Sequence, residues 1–143
     1  MAEEDSRIRR GRCLCGAVRF AARGEPHWVA HCHCDSCRRA TSAPIATYAG
    51  YGADAVEWEG ERPARHASSP GVERCFGAHC GSPMSFAGEK WPDEIHLFVA
   101  SLEEPDSLTP TSHVHVGEKL GWIHLADGLP RYATTAREGP PLL

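Results

Sequence analysis

Seven cysteines stand in three groups along this 143-residue chain, and their spacing suits a soft metal better than disulfides. The central group, Cys32, Cys34 and Cys37, contains the Cys-x-x-Cys spacing that places two sulfurs on one tetrahedral ion, with a third beside them. Disulfides would leave at least one thiol over, because seven is odd. Ordinary buried thiols rarely crowd three into six residues. The group therefore predicts a zinc ion with an open fourth position, which is typical of a site for chemistry.

The charge of such a site indicates what it would bind. Zinc with three thiolates carries a formal net charge of about −1, so it polarises carbonyls weakly but accepts a fourth thiol well. A thiol held there would be a thiolate nucleophile at neutral pH. Nearby, His33 is a proton carrier, a hydrogen-bond support or a solvated side chain, and the sequence leaves these alternatives open. Arg38 and Arg39 either bind a substrate carboxylate or are solvated.

A second group combines Cys13 and Cys15 with the distant Cys80. The apolar pattern predicts one strand over Arg12–Ala22, and in a strand the period of two points both sulfurs to the same face, with the backbone positions about 6.5–7 Å apart. Their side chains could then close on one ion. We expect these three cysteines to bind a structural zinc ion, so the chain would hold one or two zinc ions.

The elements that must position these groups are short strands separated by Gly, Pro, Ser or Asp. Strands at roughly 8–12-residue spacing, with no long 3.6-residue period, predict an all-β fold. Besides the first strand and one helical turn at Asp35–Ala40, the predicted strands are Trp28–His33, Ile45–Tyr48, Val56–Trp58, Arg65–Ala67, Glu73–Phe76, Met84–Phe86, Glu94–Leu102, His113–Val116 and Trp122–Leu125.

Composition excludes several classes of protein. Fifteen basic and nineteen acidic residues give a net charge of −4 without a basic tract, which disfavours nucleic acid or an anionic membrane as partner. The charged N-terminus lacks the apolar core of a signal peptide, and no apolar run reaches the roughly 18 residues of a membrane span. Reduced cysteines then favour the cytoplasm. We expect one domain over residues 11–132, an N-terminal extension over 1–10 and a tail over 133–143, with a homodimer left open.

An ordered series of motifs resembles the glutathione-dependent formaldehyde-activating enzyme family, which includes the domain shared with centromere protein V. The series covers roughly residues 11–132 and contains, in chain order, Gly11–Val18, Cys32–Arg39, Arg74–Phe76, Cys80–Ser82, Ser101–Pro105, Pro110–Val114, Lys119–Trp122 and Leu129–Pro130. Within it, His113 and Trp122 match family positions, although a strand-edge histidine and a core tryptophan would also explain them.

The resemblance implies a fold of small coiled antiparallel β-sheets, of the zinc-binding type found in that family. It also implies two zinc ions, one closed by the first Cys-x-Cys with a later Cys-x-x-Cys, the other held by Cys32, Cys34 and Cys37 and open to a substrate thiol. The implied activity is that of a carbon–sulfur lyase or synthase that forms S-(hydroxymethyl)glutathione from glutathione and formaldehyde. A non-catalytic carrier of glutathione or a similar small thiol and a purely structural zinc module are the alternatives.

The chain departs from the family pattern at one ligand of the structural ion. Counting back from Cys80, the partner cysteine should stand at position 77, where this chain has Gly77. Cys75 lies two residues earlier, on the same face if the strand continues, and could reach the ion through a folded-back turn. Alternatively, Cys75 is an ordinary core thiol and His79 supplies a nitrogen ligand.

Overall fold

The chain folds mainly into short β-strands, which confirms the all-β prediction. The structure, a computed structural model, describes residues 7–142. Over this range the ten strands are β1 Ile8–Arg12, β2 Val18–Arg23, β3 Trp28–Cys32, β4 Ala46–Gly52, β5 Val56–Gly60, β6 Ala64–Ser69, β7 Val72–Phe76, β8 Pro83–Gly88, β9 Glu94–Phe98 and β10 His113–Val114. Within residues 7–142 there is one α-helix, α1 Asp35–Thr41, and four 3₁₀ turns lie at Ala53–Ala55, Val99–Ser101, Pro105–Ser107 and Val116–Glu118.

Two compact units make up the described chain. The first contains the described residues up to His27 together with Ala49–Leu108, and the second contains Trp28–Tyr48 together with the described residues from Thr109 onward. Each unit contains one of the two cysteine groups that the sequence associates with zinc. None of the helices between residues 7 and 142 has the length and apolar character that a membrane crossing requires.

In the first unit, one antiparallel sheet has the order β1-β2-β5. Alternation along β2 buries Val18, Phe20 and Ala22, each at most 1% exposed. Phe20 meets the edge of Trp58, with ring centroids 5.9 Å apart. It also covers Gly11, where a Cβ atom would lie only 2.3 Å from the phenyl ring. A side chain at position 11 would therefore displace the central aromatic residue of this sheet.

The same unit contains the antiparallel strand order β9-β8-β7-β6, whose core includes the fully buried Met84 and Leu97. The pairing of β7 with β8 shifts register between Cys75, which lies opposite Ser85, and Phe76, which lies opposite Pro83. This irregularity ends β7 immediately before the turn that contains Cys80. Strand alternation therefore does not extend from Cys75 to position 77.

In the second unit, β3 lies between β4 and the two-residue strand β10. β3 and β10 are parallel, with His31 opposite His113 and Cys32 opposite Val114. The antiparallel prediction from the family resemblance thus holds for the pairs within the first unit but not for this one. The parallel pair places the start of the central cysteine group beside a segment some 80 positions further along the chain.

Some predicted strands are interrupted, shortened or absent in the structure. The strand predicted over His113–Val116 is limited to β10, because a 3₁₀ turn begins at Val116. Arg12–Ala22 is not continuous: β1 ends at Arg12, and a turn with Gly16 at φ +81° leads into β2. The strand predicted over Glu94–Leu102 ends at Phe98, where Ser101 Oγ bonds the Phe98 carbonyl and a 3₁₀ turn begins. Trp122–Leu125 forms no strand, because its backbone turns at the Ile123 N–H to Leu120 carbonyl bond.

The predicted domain boundaries remain predictions. Of the extension over residues 1–10, residues 1–6 lie outside the described part, and Ile8 already begins β1. In the predicted tail, the Leu142 N–H donates to the Arg131 carbonyl at 2.6 Å, and residue 143 lies outside the description.

Candidate functional site

Cys32, Cys34 and Cys37 form a thiol group that we call the knuckle cluster. Cys32 ends β3, Cys34 precedes α1 in an extended conformation, and Cys37 lies in the first turn of the helix. Because the chain turns into the helix at Cys34, the Cys37 N–H donates to the Cys34 sulfur at 3.3 Å. The three sulfurs lie within 4.8 Å of one another. Residues predicted as ligands from spacing alone are therefore brought together by a strand end and a helix start.

The knuckle cluster is mostly enclosed, and its other two thiols repress the ionisation of Cys32. Cys32 and Cys37 are buried, whereas Cys34 is partly exposed. Hydrogen bonds with the Cys34 and Cys37 thiols, followed by burial, raise the pKa of Cys32 strongly. A dication at this position would relieve that repulsion, because soft thiolates are preferred zinc ligands. The donor set thus fits a zinc ion, and the partly exposed Cys34 leaves one side accessible.

One tyrosine and two arginines lie around the knuckle cluster. The Tyr48 hydroxyl donates to the Cys37 sulfur at 3.2 Å. Arg38 and Arg39, predicted to bind substrate, both pair with Asp35, at 3.0 and 3.1 Å. Arg38 keeps one further donor: its Nε is buried and has no hydrogen-bond partner in the described structure. Arg39 is largely exposed.

A chain of hydrogen bonds, which we call the histidine chain, runs from the buried His33 through the buried His113 to the exposed Asp127. His33 Nε2 lies 2.9 Å from His113 Nδ1, and His113 Nε2 lies 2.7 Å from Asp127 Oδ2. A carboxylate only accepts, so His113 donates to Asp127 through Nε2 and, when neutral, accepts from His33 through Nδ1. His33 Nδ1 then carries a free lone pair, and this buried atom has no partner among the described residues.

Neighbouring groups fix the histidine chain in place. The Leu129 N–H donates to the other oxygen of Asp127, and the His31 ring stacks on His113 with centroids 4.8 Å apart. Burial, then the electrostatic influence of the neighbouring rings of His113 and His31, lowers the pKa of His33 to about 4. The hydrogen bond from His113 lowers the pKa of Asp127. At neutral pH the His33 ring is therefore uncharged, and its Nδ1 offers an unused hydrogen-bond acceptor in the residue between Cys32 and Cys34.

Sequence reasoning left His113 without a role and did not single out Asp127. The only sequence feature that pointed to this region was the match of the His113 motif and of Leu129–Pro130 to family positions. The parallel pairing of β3 with β10, which places His113 opposite His31, joins segments too far apart in sequence for any local pattern to reveal. Trp122, for which a core position was one explanation, is 68% exposed and is not a core residue.

The second thiol group, the hairpin cluster, consists of Cys13, Cys15 and Cys80. Its sulfurs also lie within 4.8 Å of one another, and those of Cys13 and Cys15 are 3.6 Å apart. The prediction that strand alternation aligns Cys13 with Cys15 is wrong, because both lie in the turn between β1 and β2. The turn is closed by the Cys13 N–H to Val18 carbonyl bond and draws the two sulfurs closer than a strand would.

Ser82 ties the two turns of the hairpin cluster together. Its hydroxyl accepts from the Leu14 N–H at 2.9 Å and lies 3.2 Å from the Cys80 sulfur. The side-chain hydrogen bond with Ser82, followed by backbone N–H bonds, lowers the pKa of Cys80 to about 6. Cys80 is therefore mostly a thiolate at neutral pH, the form that binds a metal.

Neither residue considered as a fourth ligand joins the hairpin cluster. Cys75 is buried in β7 opposite Ser85, where burial raises its pKa, and it lies outside the cluster. His79 is exposed and pairs with Glu61 at 2.7 Å. Position 77 does reach the cluster: a Cβ on Gly77 would lie 3.0 Å from the Cys80 sulfur and 3.5 Å from that of Cys13.

Comparison with known proteins points to one family. The sequence model of the family described as "Glutathione-dependent formaldehyde-activating enzyme" matches residues 8–118. The chain is similar to an uncharacterized lyase of Schizosaccharomyces pombe, with 35% identity over 109 residues, or 76% of this chain and 79% of the relative. It is also similar to a protein of Halomonas elongata provisionally named a glutathione-dependent formaldehyde-activating enzyme, with 29% identity over 134 residues, or 80% of this chain and 79% of the relative.

A solved structure supports the fold. A protein of Rhodobacter sphaeroides superposes with a TM-score of 0.57 at 23% identity, covering 71% of this chain and 91% of that one. At this level of identity the likeness concerns the fold alone.

Proposed function

The chain belongs to the glutathione-dependent formaldehyde-activating enzyme family, and from that premise we propose that it is a zinc-dependent carbon–sulfur lyase or synthase acting on a glutathione-type thiol adduct. The reaction joins the glutathione sulfur to the carbonyl carbon of formaldehyde, and the thiol proton is balanced by a proton gained at the carbonyl oxygen. The product of this forward reaction is S-(hydroxymethyl)glutathione. The reverse reaction breaks the same carbon–sulfur bond.

The observation that carries the proposal is the knuckle cluster, with three thiols in contact range and no fourth thiol among the described residues grouped with it. Cys32, Cys34 and Cys37 would hold the zinc ion. When bound, zinc supplies the positive charge that keeps a fourth, exogenous thiol in its thiolate form at neutral pH. The partial exposure of Cys34 supplies the approach for that thiol.

Other side chains near the cluster bind and orient. The unpaired Nε–H of Arg38 is a donor for one carboxylate of glutathione, with Arg39 as a more exposed second cation. Asp35 already neutralises part of both charges, so a substrate carboxylate must compete with it. Through His113 and Asp127, the histidine chain orients His33 so that its Nδ1 acceptor is fixed. The thiols this function requires favour a reducing compartment such as the cytoplasm.

Cobalt substitution tests the proposal directly. Glutathione should intensify the sulfur-to-cobalt charge-transfer band, and the zinc protein should form the formaldehyde adduct faster than the uncatalysed mixture. Cys34→Ala should lose both effects, whereas Cys75→Ala, which removes a buried thiol outside both clusters, should keep them. An unchanged spectrum would remove the lyase assignment. A changed spectrum without rate enhancement would identify a thiol carrier instead.

A further inference from the structure

The hairpin cluster presents three sulfurs, and no fourth cysteine or histidine among the described residues is grouped with them. Cys13 is buried, Cys80 is partly exposed and Cys15 is exposed, so solvent reaches one side of the group. The two other candidate ligands of cysteine or histidine type are committed elsewhere, Cys75 inside β7 and His79 to Glu61. Zinc at a closed structural site takes four protein ligands. The residues of this cluster therefore fit an ion whose coordination the described protein does not complete.

Gly77 is the position from which the protein could complete it. The Gly77 N–H donates to the Ser82 carbonyl, and the Gly77 carbonyl accepts from the Gly81 N–H, so the residue is fixed at the base of the turn that holds Cys80. Its Cβ direction points at the sulfurs of Cys80 and Cys13. The absence of a side chain here, and not the path of the backbone, leaves the fourth ligand missing.

We propose that the hairpin cluster is a second exchangeable metal site, held by Cys13, Cys15 and Cys80, whose fourth ligand is a solvent molecule that a small exogenous thiol replaces. On replacement the thiol gives its proton to the solvent and binds as thiolate, while the water leaves. The inference rests on the proposed affinity of the thiol groups for zinc, but not on the proposed reaction.

Cadmium-113 NMR of the full chain tests this site separately from the knuckle cluster. Each bound cadmium gives its own resonance, which moves to higher frequency as thiolate replaces oxygen in the shell. Cys15→Ser and Cys34→Ala assign the two resonances. We expect 2-mercaptoethanol to move the hairpin-cluster resonance of the wild-type chain to higher frequency.

Two substitutions at one position provide the contrast. Gly77 does not adopt a left-handed backbone conformation, so an L-residue fits there after the Cys80 sulfur and the Cys13 Cβ, 3.0 and 3.2 Å from the added Cβ, shift by a few tenths of an ångström. Gly77→Cys should show the four-thiolate resonance without added thiol and no longer respond to 2-mercaptoethanol. Gly77→Ala adds the same Cβ without a sulfur and should respond as the wild type does.

Three outcomes would overturn the inference: no cadmium at the hairpin cluster, a wild-type resonance already at the four-thiolate position, or no response to thiol. If Gly77→Cys folds poorly, the titration of the wild-type cadmium protein with 2-mercaptoethanol still tests the inference. The knuckle-cluster resonance in the same spectra reports on the proposed function, because it should respond to glutathione. A failure at one cluster is thus distinguishable from a failure at the other.

Discussion

The two thiol clusters contain the same number of cysteines, yet they are built in opposite ways. The knuckle cluster gathers its sulfurs from six consecutive residues, encloses two of them and receives a hydrogen bond from Tyr48. The hairpin cluster joins two turns far apart in sequence and leaves Cys15 exposed. The first can form as soon as one helix begins, whereas the second requires the first unit to have folded. A metal at the first would therefore add little to the stability of the fold, whereas a metal at the second would stabilise the folded first unit.

Removing the knuckle cluster should have the largest effect on activity and little effect on the fold. Cys34→Ala takes away one of three ligands, so we expect adduct formation to fall to the uncatalysed rate with one zinc ion lost per chain. Atomic absorption measures the zinc content, and the initial rate measures adduct formation. Full metal content in this variant would refute the ligand assignment. Cys75→Ala is the control, because it removes a thiol that lies outside both clusters.

Removing the hairpin cluster should reverse that pattern. A metal that joins Cys13 to Cys80 closes a loop of about 65 residues, which by chain entropy stabilises the folded state by about 4 kcal/mol at saturating metal. Cys15→Ser should therefore lower thermal stability far more than Cys34→Ala does. Calorimetry of both variants with excess zinc makes the comparison. Equal and small losses would mean that no ion binds there.

The histidine chain should matter for activity without affecting either ion. Asp127→Ala frees the His113 ring from its acceptor, so His33 loses its fixed orientation, and we expect a loss in kcat of about tenfold. Asp127→Asn keeps a hydrogen-bond acceptor for His113 and should therefore retain part of the wild-type kcat. Metal content and the cobalt spectrum should stay as in the wild type. If Asp127→Ala instead loses zinc, the chain supports metal binding and not the substrate.

The smallest effect should come from an ion pair of the first unit. Arg9 is buried and pairs with the half-exposed Glu25 at 2.7 Å, and this hydrogen bond lowers the pKa of Glu25. Glu25 therefore adds stability above the pKa of the unfolded chain, and this contribution disappears as pH falls through its lower folded pKa. Glu25→Gln should cost less than about 1 kcal/mol at pH 7.

Thermal unfolding at several pH values tests this. The difference between Glu25→Gln and wild type should vanish in acid. A difference as large as that of Cys15→Ser would show that ionic contacts, and not the hairpin cluster, hold the first unit together.

Local residue patterns predict the site where the site itself is local. The Cys32 to Cys37 spacing sufficed for the knuckle cluster, because one strand end and one helical turn determine where its sulfurs lie. For Cys13 and Cys15 the predicted grouping with Cys80 forms, but the predicted strand does not, since Gly16 turns the chain that the apolar pattern assigned to one continuous strand.

Longer-range features were beyond such patterns. Cys75 was considered as a ligand because the alternation of β7 was assumed to continue beyond Phe76. The register shift between Cys75 and Phe76 ends that alternation. Asp127 was missed because only a two-residue parallel pairing brings its partner His113 beside β3. The all-β class, by contrast, follows from strand lengths and breakers, which are local properties.

The pairing of β3 with β10 joins two parts of the sequence that contribute different functional residues. Every cysteine precedes residue 81, and the two remote members of the histidine chain follow residue 112. A chain shortened after Leu108 would keep all seven thiols and lose both His113 and Asp127. Recombination downstream of the Leu108 codon would therefore replace the remote part of the histidine chain without altering the codon of any cysteine.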